Sequence, residues 1–207
     1  MVAAALVIGV TISFSSYLSE FDNVQTNVEQ KFETVALGSE TATVTIVEIG
    51  DYQCHMCKLW FEQTRPLLIE NYIDTGKANL IFLDMPFLGQ DSLPAAAATY
   101  CADDQDKYWG YHVRLFELQQ EIDDGWANID RLHAIAFGLS MDMAEFDECM
   151  KSKEHYSRVA FHEQKAKNDF GANSTPTFII VNVDGDSKRI VGAHPYSTFE
   201  EIINSML

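Results

Sequence analysis

The stretch Thr43–Trp60 reads TVTIVEIGDYQCHMCKLW and decides the fold. Its first part, Thr43 to Ile49, is rich in β-branched residues and nearly continuous in apolar character, which is typical of a central strand buried on both faces. Asp51 to Lys58 then predicts a turn, and from Cys57 to about Thr75 apolar side chains recur at helical spacing. The sequence therefore predicts a buried strand that leads into a helix, with a Cys-X-X-Cys motif at the junction.

The remaining chain supplies more strands and a long helical block. Pro66 is expected to kink the first helix. Leu93 to about Lys167 is predicted as mostly helix, and a last helix spans about Tyr196–Met206. The other predicted strands are Phe32–Leu37, Asn79–Met85, Thr177–Val183 and, after a hairpin turn at Asp184-Gly185, Lys188–Val191. This order indicates one α/β domain with a helical insertion of about 75 residues.

The composition excludes several classes of protein. The chain has 207 residues, 47% of them hydrophobic and 22% charged, which is typical of a globular domain. A net charge of −17 repels phosphate backbones, so nucleic-acid binding is not expected. Four cysteines are too few for a scaffold built from disulfides, so a hydrophobic core must hold the fold together.

The amino terminus is predicted to direct export. Val2 to Phe14 contains no charged residue, and the first charged side chain is Glu20. Such a run is short for a membrane span of about 20 residues but suits the core of a signal peptide, although no basic residues precede it. We therefore expect a signal or membrane anchor in residues 1–19 and a polar tether in residues 20–31. The alternative is a helix packed on the domain.

Cys54-His55-Met56-Cys57 is the motif that carries chemistry. It lies where the strand ends and the helix begins, and a helix N-terminus presents unpaired N–H groups and the positive end of its dipole. A thiolate is stabilised there, so we expect Cys54 to be the nucleophile and Cys57 to resolve a mixed disulfide. His55, if protonated, adds a nearby positive charge. The alternatives are half of a zinc site and a structural disulfide.

A zinc site requires a second pair of Cys or His ligands at short spacing. Cys101 and Cys149 are isolated in the sequence, and the other histidines are scattered. The sequence therefore predicts no metal site and no cofactor. The scattered histidines are His112, His133, His155, His162 and His194.

Several blocks of the chain resemble the DsbA-type thiol oxidoreductases of the thioredoxin superfamily. Besides the first stretch, they are YCADDQDKYWGYHVRLF, FDECMKS, FGANSTPTFIIVN and VGAHPYSTFEEII, in this order. The resemblance implies a thioredoxin fold whose first half spans residues 32–86, a helical insertion at residues 87–168 and a second half at residues 169–207. This sequence departs from the family at His55-Met56, where many members have proline and an aromatic residue or histidine. In the family, the dipeptide between the cysteines tunes the redox potential.

The resemblance also implies roles for residues outside the motif. Glu48 matches a buried acid of the family, whose raised pKa would let it accept the proton of Cys57; the alternative is a Glu48 that faces solvent. Thr175-Pro176 matches a cis proline facing the cysteines, whereas a trans proline could also start the strand.

Some relatives also have a disulfide across the helical block. This implies a bridge between Cys101 and Cys149, since both lie in helical stretches and the expected compartment is oxidising. Two separate buried thiols are the alternative.

The leading hypothesis is an extracytoplasmic enzyme that introduces disulfides into exported proteins. Its partners would be unfolded or reduced exported proteins and a membrane or soluble redox partner that recycles the cysteines. A reductase or isomerase on the same fold is the second hypothesis, because nothing in the sequence defines the direction of electron flow. A copper-handling module that binds soft Cu(I) through Cys54, Cys57 and His55 is the third.

Overall fold

A five-stranded sheet forms the centre of the computed structural model, which describes residues 34–207. The strand order is β1-β3-β2-β4-β5, and only β2 and β3 pair in parallel. The strands are β1 Ala36–Gly38, β2 Val44–Gly50, β3 Ala78–Asp84, β4 Thr177–Asn182 and β5 Ser187–Val191. The predicted anchor and tether lie outside the described residues.

Eight α-helices connect and cover the strands of the described chain. They are α1 His55–Gln63, α2 Arg65–Leu68, α3 Ser92–Asp103, α4 Tyr108–Leu118, α5 Ile129–Gly138, α6 Met143–Ser152, α7 Tyr156–Asn168 and α8 Tyr196–Met206, with a π-helical turn at Ile69–Ile73. Five of them, α3 to α7, lie between β3 and β4. The predicted α/β domain with a helical insertion is therefore confirmed.

The first predicted helix is interrupted at Thr64, two residues before Pro66, and this agrees with the kink that the sequence predicts at Pro66. Pro66 lies in the first turn of α2 and has no N–H to donate to the carbonyl four residues earlier, so the helix restarts there. The break turns the chain towards β3 and leaves Arg65 in the protein interior, 7% exposed.

Both faces of the sheet are covered, which explains the apolar run in β2. On one face Val44 and Ile46 pack in a cluster with Trp60 of α1 and Phe199 of α8. On the other face Val47 and Ile49 pack with residues of α7, such as Ala166. The strand is therefore buried from both sides, as its composition predicts. In residues 34–207 there is no helix with the length and apolar character needed to cross a membrane.

Candidate active site at the start of helix α1

Cys54 caps the first helix. After β2 ends at Gly50, the carbonyl of Asp51 accepts the Cys54 N–H at 2.9 Å and so forms a tight turn. Cys54 then has extended backbone angles, and its sulfur accepts the N–H of Cys57 at 3.2 Å. The sulfur thus takes the place that a Ser or Asp oxygen occupies in most helix caps. This geometry makes the start of α1 a site for a thiolate.

The two thiols of the motif have opposite environments. The pKa of Cys54 is lowered to about 7, first by the hydrogen bond from the Cys57 thiol and then by contacts with Thr175 and the helix N–H groups, against the effect of burial. The pKa of Cys57 is raised because it is fully buried and because the Cys54 and Glu48 charges are close. Near neutral pH, Cys54 is therefore partly ionised, whereas Cys57 stays protonated.

Glu48 lies beneath this pair in the interior of β2. It is 1% exposed, and neither carboxylate oxygen has a hydrogen-bond partner. Burial raises the pKa of Glu48 to about 8, opposed by the positive charge of Arg65 and reinforced by Cys54. The structure therefore does not match the alternative of a solvent-facing Glu48. A carboxyl group with this pKa can gain and lose a proton near physiological pH.

Arg65 is a buried cation close to Glu48 that sequence reasoning missed. Its guanidinium lies 5.0 Å from the ring centre of Phe61 and 5.9 Å from that of Trp109, so aromatic faces cover it. Burial lowers the pKa of Arg65, whereas the charge of Glu48 raises it. Arg65 follows the polar residues Glu62, Gln63 and Thr64, so the sequence carries no signal for its burial.

Thr175 and Pro176 face the thiol from the opposite side. The peptide bond between them is cis. The Cys54 sulfur lies 3.4 Å from the carbonyl oxygen of Thr175, at a distance and angle that suit a hydrogen bond from the thiol. Pro176 is buried, and its own carbonyl accepts the N–H of Gly192 at 2.8 Å. The structure thus brings Cys54, Cys57, Glu48 and Thr175-Pro176 together around one sulfur pair.

The other predicted residues lie around or away from this centre. His55 and Met56 are exposed in the first turn of α1, with Met56 44% exposed, so they border the thiol without covering it. Cys101 and Cys149 form a disulfide between α3 and α6, within the helical block. In residues 34–207, Cys54 and Cys57 are the free cysteines.

Gln119 fixes the turn that precedes the helix and was not predicted from the sequence. Its side-chain amide donates to the carbonyls of Tyr52 and Cys54, at 2.5 Å and 3.1 Å. Lys58 donates in turn to the carbonyl of Gln119 at 2.8 Å. Gln119 follows α4 directly, so these bonds attach the helical block to the turn that holds Cys54. An amide near the end of a predicted helix carries no signal for such a contact.

A cleft of about 430 Å³ lies beside the second half of α1. It is lined by Leu59, Trp60 and Leu67 on one side and by the chain from Ala193 to Ser197 on the other. A smaller cleft of about 200 Å³ lies at His55, Lys58 and Gln119. The smaller cleft therefore borders the first turn of α1, next to the motif.

Known proteins resemble this chain in sequence and in structure. The thioredoxin family model matches residues 30–205. The probable disulfide bond formation protein D of Bacillus cereus is 30% identical over 161 residues, which cover 74% of this chain and 74% of that protein. The disulfide bond formation protein D of Bacillus subtilis is 29% identical over 181 residues, which cover 83% of this chain and 76% of that protein.

Solved structures agree with these sequence matches. The crystal structure of oxidised BdbD from Bacillus subtilis has a TM-score of 0.75 and 26% identity, and the match covers 84% of this chain and 92% of that chain. The crystal structure of alpha-DsbA1 from Wolbachia pipientis has a TM-score of 0.73 at 24% identity over 84% of this chain and 90% of that chain, and so supports the fold. With a Cys-X-X-Cys motif at a helix start, the chain belongs to the thioredoxin family and is a DsbA-like thiol:disulfide oxidoreductase.

Proposed function

We propose that this protein-disulfide oxidoreductase works outside the cytoplasm as an oxidase of exported proteins. The observation that carries the proposal is the asymmetry of the two thiols: Cys54 has a lowered pKa and faces the carbonyl of Thr175, and Cys57 is buried behind it. A stabilised thiolate favours the reduced form of the motif, and this makes its disulfide a stronger oxidant. The relatives named for disulfide bond formation favour the same direction.

The proposed reaction starts from the Cys54–Cys57 disulfide. A client thiolate attacks the Cys54 sulfur, and the bond to Cys57 breaks, so that Cys57 leaves as a thiolate. Protonated Glu48 supplies a proton to Cys57, since its pKa of about 8 keeps it largely protonated at neutral pH. A second client thiolate attacks the client sulfur of the mixed disulfide and releases Cys54. The client loses two electrons, and the motif gains them.

In this scheme the Thr175 carbonyl accepts a backbone N–H of the client. Pairing with main chain tolerates many client sequences, which a general oxidase requires. In the reverse reaction, which a redox partner would drive to regenerate the enzyme, Glu48 accepts the proton of Cys57.

One prediction from the sequence and one observation support a site outside the cytoplasm. The predicted signal or anchor in residues 1–19 would export the chain, and the tether in residues 20–31 would hold the domain away from the membrane. A disulfide between Cys101 and Cys149 is also typical of oxidising compartments, because cytoplasmic reductants keep most thiols reduced.

A reductase or isomerase is the second candidate. The observation that favours it is the pKa of Cys54, about 7, since thioredoxin, a reductase, has a cysteine pKa of about 7 and DsbA one of about 3.5. Both candidates use the same residues and differ in the equilibrium between dithiol and disulfide.

The redox potential, measured by equilibration with glutathione, separates the candidates. A value near about −120 mV supports the oxidase, and a value near about −270 mV supports the reductase. The oxidised protein should also convert a reduced, unfolded client to its disulfide form faster than the reduced protein cleaves the disulfides of insulin. Faster insulin reduction, together with the low potential, would contradict the oxidase.

A further inference from the structure

Three helix ends meet at the disulfide of the helical block. Cys101 lies in the last turn of α3, and Asp104 follows that helix. Cys149 lies in the last turn of α6, and His155 directly precedes α7. The His155 Nε2 lies 2.8 Å from an oxygen of Asp104, and the Cys149 sulfur lies 3.7 Å from the same oxygen.

The potential ligand atoms of this cluster are spaced as a metal site requires. The two sulfurs and a ring nitrogen of His155 lie within 4.8 Å of one another, and so do single atoms of Cys149, His155, Asp104 and Glu154. Ligands of a tetrahedral zinc ion with bonds of about 2.0–2.3 Å lie about 3.3–3.8 Å apart. The two groups share Cys149 and His155. Once the disulfide is reduced and its sulfurs can separate, side-chain rotation has to bring Cys101 and Asp104 towards this shared pair to place two thiolates, an imidazole and a carboxylate around one ion.

The surrounding charges also favour a cation. The C-terminal ends of α3 and α6, each the negative end of a helix dipole, both point at the cluster, against a single N-terminus from α7. Arg158 forms an ion pair with Asp103 at 3.2 Å. The two carboxylates at His155 are Asp104 and, at 3.6 Å, the more exposed Glu154.

We propose that the reduced form of this cluster is a zinc site with Cys101, Cys149, His155 and Asp104 as ligands. Disulfide and metal then exclude each other. A dithiol reductant supplies two electrons and two protons to the disulfide and becomes a disulfide itself. Zinc binding releases the two thiol protons to solvent. In the return step a disulfide oxidant accepts two electrons from the Cys101–Cys149 pair and two protons from solvent and becomes a dithiol, while the pair re-forms its disulfide and releases the ion. Soft thiolate ligands with an imidazole suit Zn²⁺.

The proposal is independent of the reaction at Cys54. It gives the helical block a link between α3, α6 and α7 under reducing conditions, when the disulfide is absent. The sequence contains no metal motif at these positions, because Cys101 and Cys149 are 48 residues apart and only the fold brings them to His155.

The test uses the full chain with Cys54→Ser and Cys57→Ser, so that no other thiol can bind metal. After reduction with a phosphine and removal of the reductant, the protein is titrated with Co²⁺ and then with Zn²⁺. We expect one ion per chain, with a sulfur-to-cobalt charge-transfer band and the visible spectrum of a tetrahedral ion. The oxidised protein should bind neither ion. A reduced protein without the charge-transfer band would overturn the proposal.

Variants assign the ligands. His155→Ala should weaken Zn²⁺ binding by more than about tenfold, since even outer-shell partners of metal ligands contribute about 10- to 100-fold. His133→Ala is the matched control, because His133 lies 3.2 Å from Asp147 in a similar pair without cysteines, and it should bind as the parent does. An equal loss of Zn²⁺ affinity in His155→Ala and His133→Ala would overturn the site. Unchanged Zn²⁺ affinity in Asp104→Asn would overturn the assignment of Asp104 as the fourth ligand.

Circular dichroism of each reduced variant checks that the helices remain. If reduction alone unfolds the helical block, addition of Zn²⁺ should restore the helical signal in the parent and in His133→Ala but not in His155→Ala. A signal that Zn²⁺ leaves unchanged in the parent would contradict the proposal.

Discussion

Cys54 and Cys57 lie one helical turn apart, but only Cys54 is in a position to react with a client. We predict that alkylation of the reduced protein rises with pH around a midpoint near 7 and occurs at Cys54, because Cys57 is buried and has a raised pKa. Mass spectrometry of the modified peptide at each pH measures this directly. Cys54→Ser should abolish exchange, and Cys57→Ser should trap mixed disulfides. Faster alkylation of Cys57 would contradict the assignment.

Glu48 should make the stability of the reduced protein depend on pH. Its pKa is raised from 4.5 to about 8, so the folded state prefers the protonated form. The free energy of unfolding is therefore highest below pH 4.5 and falls as the pH rises from 4.5 towards 8. The fall is about 5 kcal/mol at most, because a pKa change of one unit corresponds to about 1.4 kcal/mol. Glu48→Gln cannot ionise, so its stability relative to the parent should increase over this range.

Urea unfolding of the reduced parent and of Glu48→Gln at several pH values measures the difference. Glu62→Gln is a suitable control, because Glu62 lies on the same helix segment as the motif but is exposed beside Lys58. The difference in free energy of unfolding between Glu62→Gln and the parent should be the same at every pH. A constant difference between Glu48→Gln and the parent from pH 4.5 to 8 would show that Glu48 titrates normally.

At the scale of elements, the disulfide joins two helices that are far apart in sequence. It closes a loop with a sequence separation of 48, for which the chain-entropy model predicts about 4 kcal/mol. Replacing Cys101 and Cys149 together by alanine should lower the free energy of unfolding by about this amount, measured by denaturation with a chelator present. Thiol counting on the denatured, unreduced protein is the check: two reactive thiols with Cys54–Cys57 oxidised would contradict the bridge.

Gln119 should stabilise the turn before α1. Gln119→Leu leaves the carbonyls of Tyr52 and Cys54 without their donor, and each buried unpaired group costs about 1–3 kcal/mol. We expect lower stability and a slower exchange reaction, because Cys54 is no longer held at the helix start. Gln120→Leu is the matched control at the exposed neighbouring position and should have little effect on either measurement. Equal effects of the two variants would rule out this role.

The elements were largely predictable, whereas the contacts between them were not. β-branched runs and helical spacing locate β2, β3, β4 and the inserted helices because these patterns are local. Arg65 comes close to the motif because the helix is interrupted at Thr64. Gln119 does so because the helical block packs on the sheet. Their partners lie far away in the sequence. One sequence read on its own carries no local signal for such distant pairs. The cluster at His155 was missed for the same reason.

At the scale of the whole molecule, export should depend on the amino terminus. Deleting the residues before Phe21 should leave a protein with full exchange activity, because the motif and its partners lie within residues 34–207. Cell fractionation of the native full-length chain should find it in the membrane or outside the cytoplasm. A chain found only in the cytoplasmic fraction would contradict the proposed location.

The strand order also determines how late during translation the sheet can be completed. The sheet needs β4 beside β2, and 92 residues (85 to 176) separate the end of β3 at Asp84 from the start of β4 at Thr177. At about 5–20 residues per second, translation of this interval takes about 5–20 s. All four cysteines, Cys54, Cys57, Cys101 and Cys149, are made before the Thr175 carbonyl that contacts the Cys54 sulfur. During translation there is therefore a period in which the cysteines of the nascent chain can form disulfides with one another, before the completed sheet holds Cys54 and Cys57 apart from the other pair.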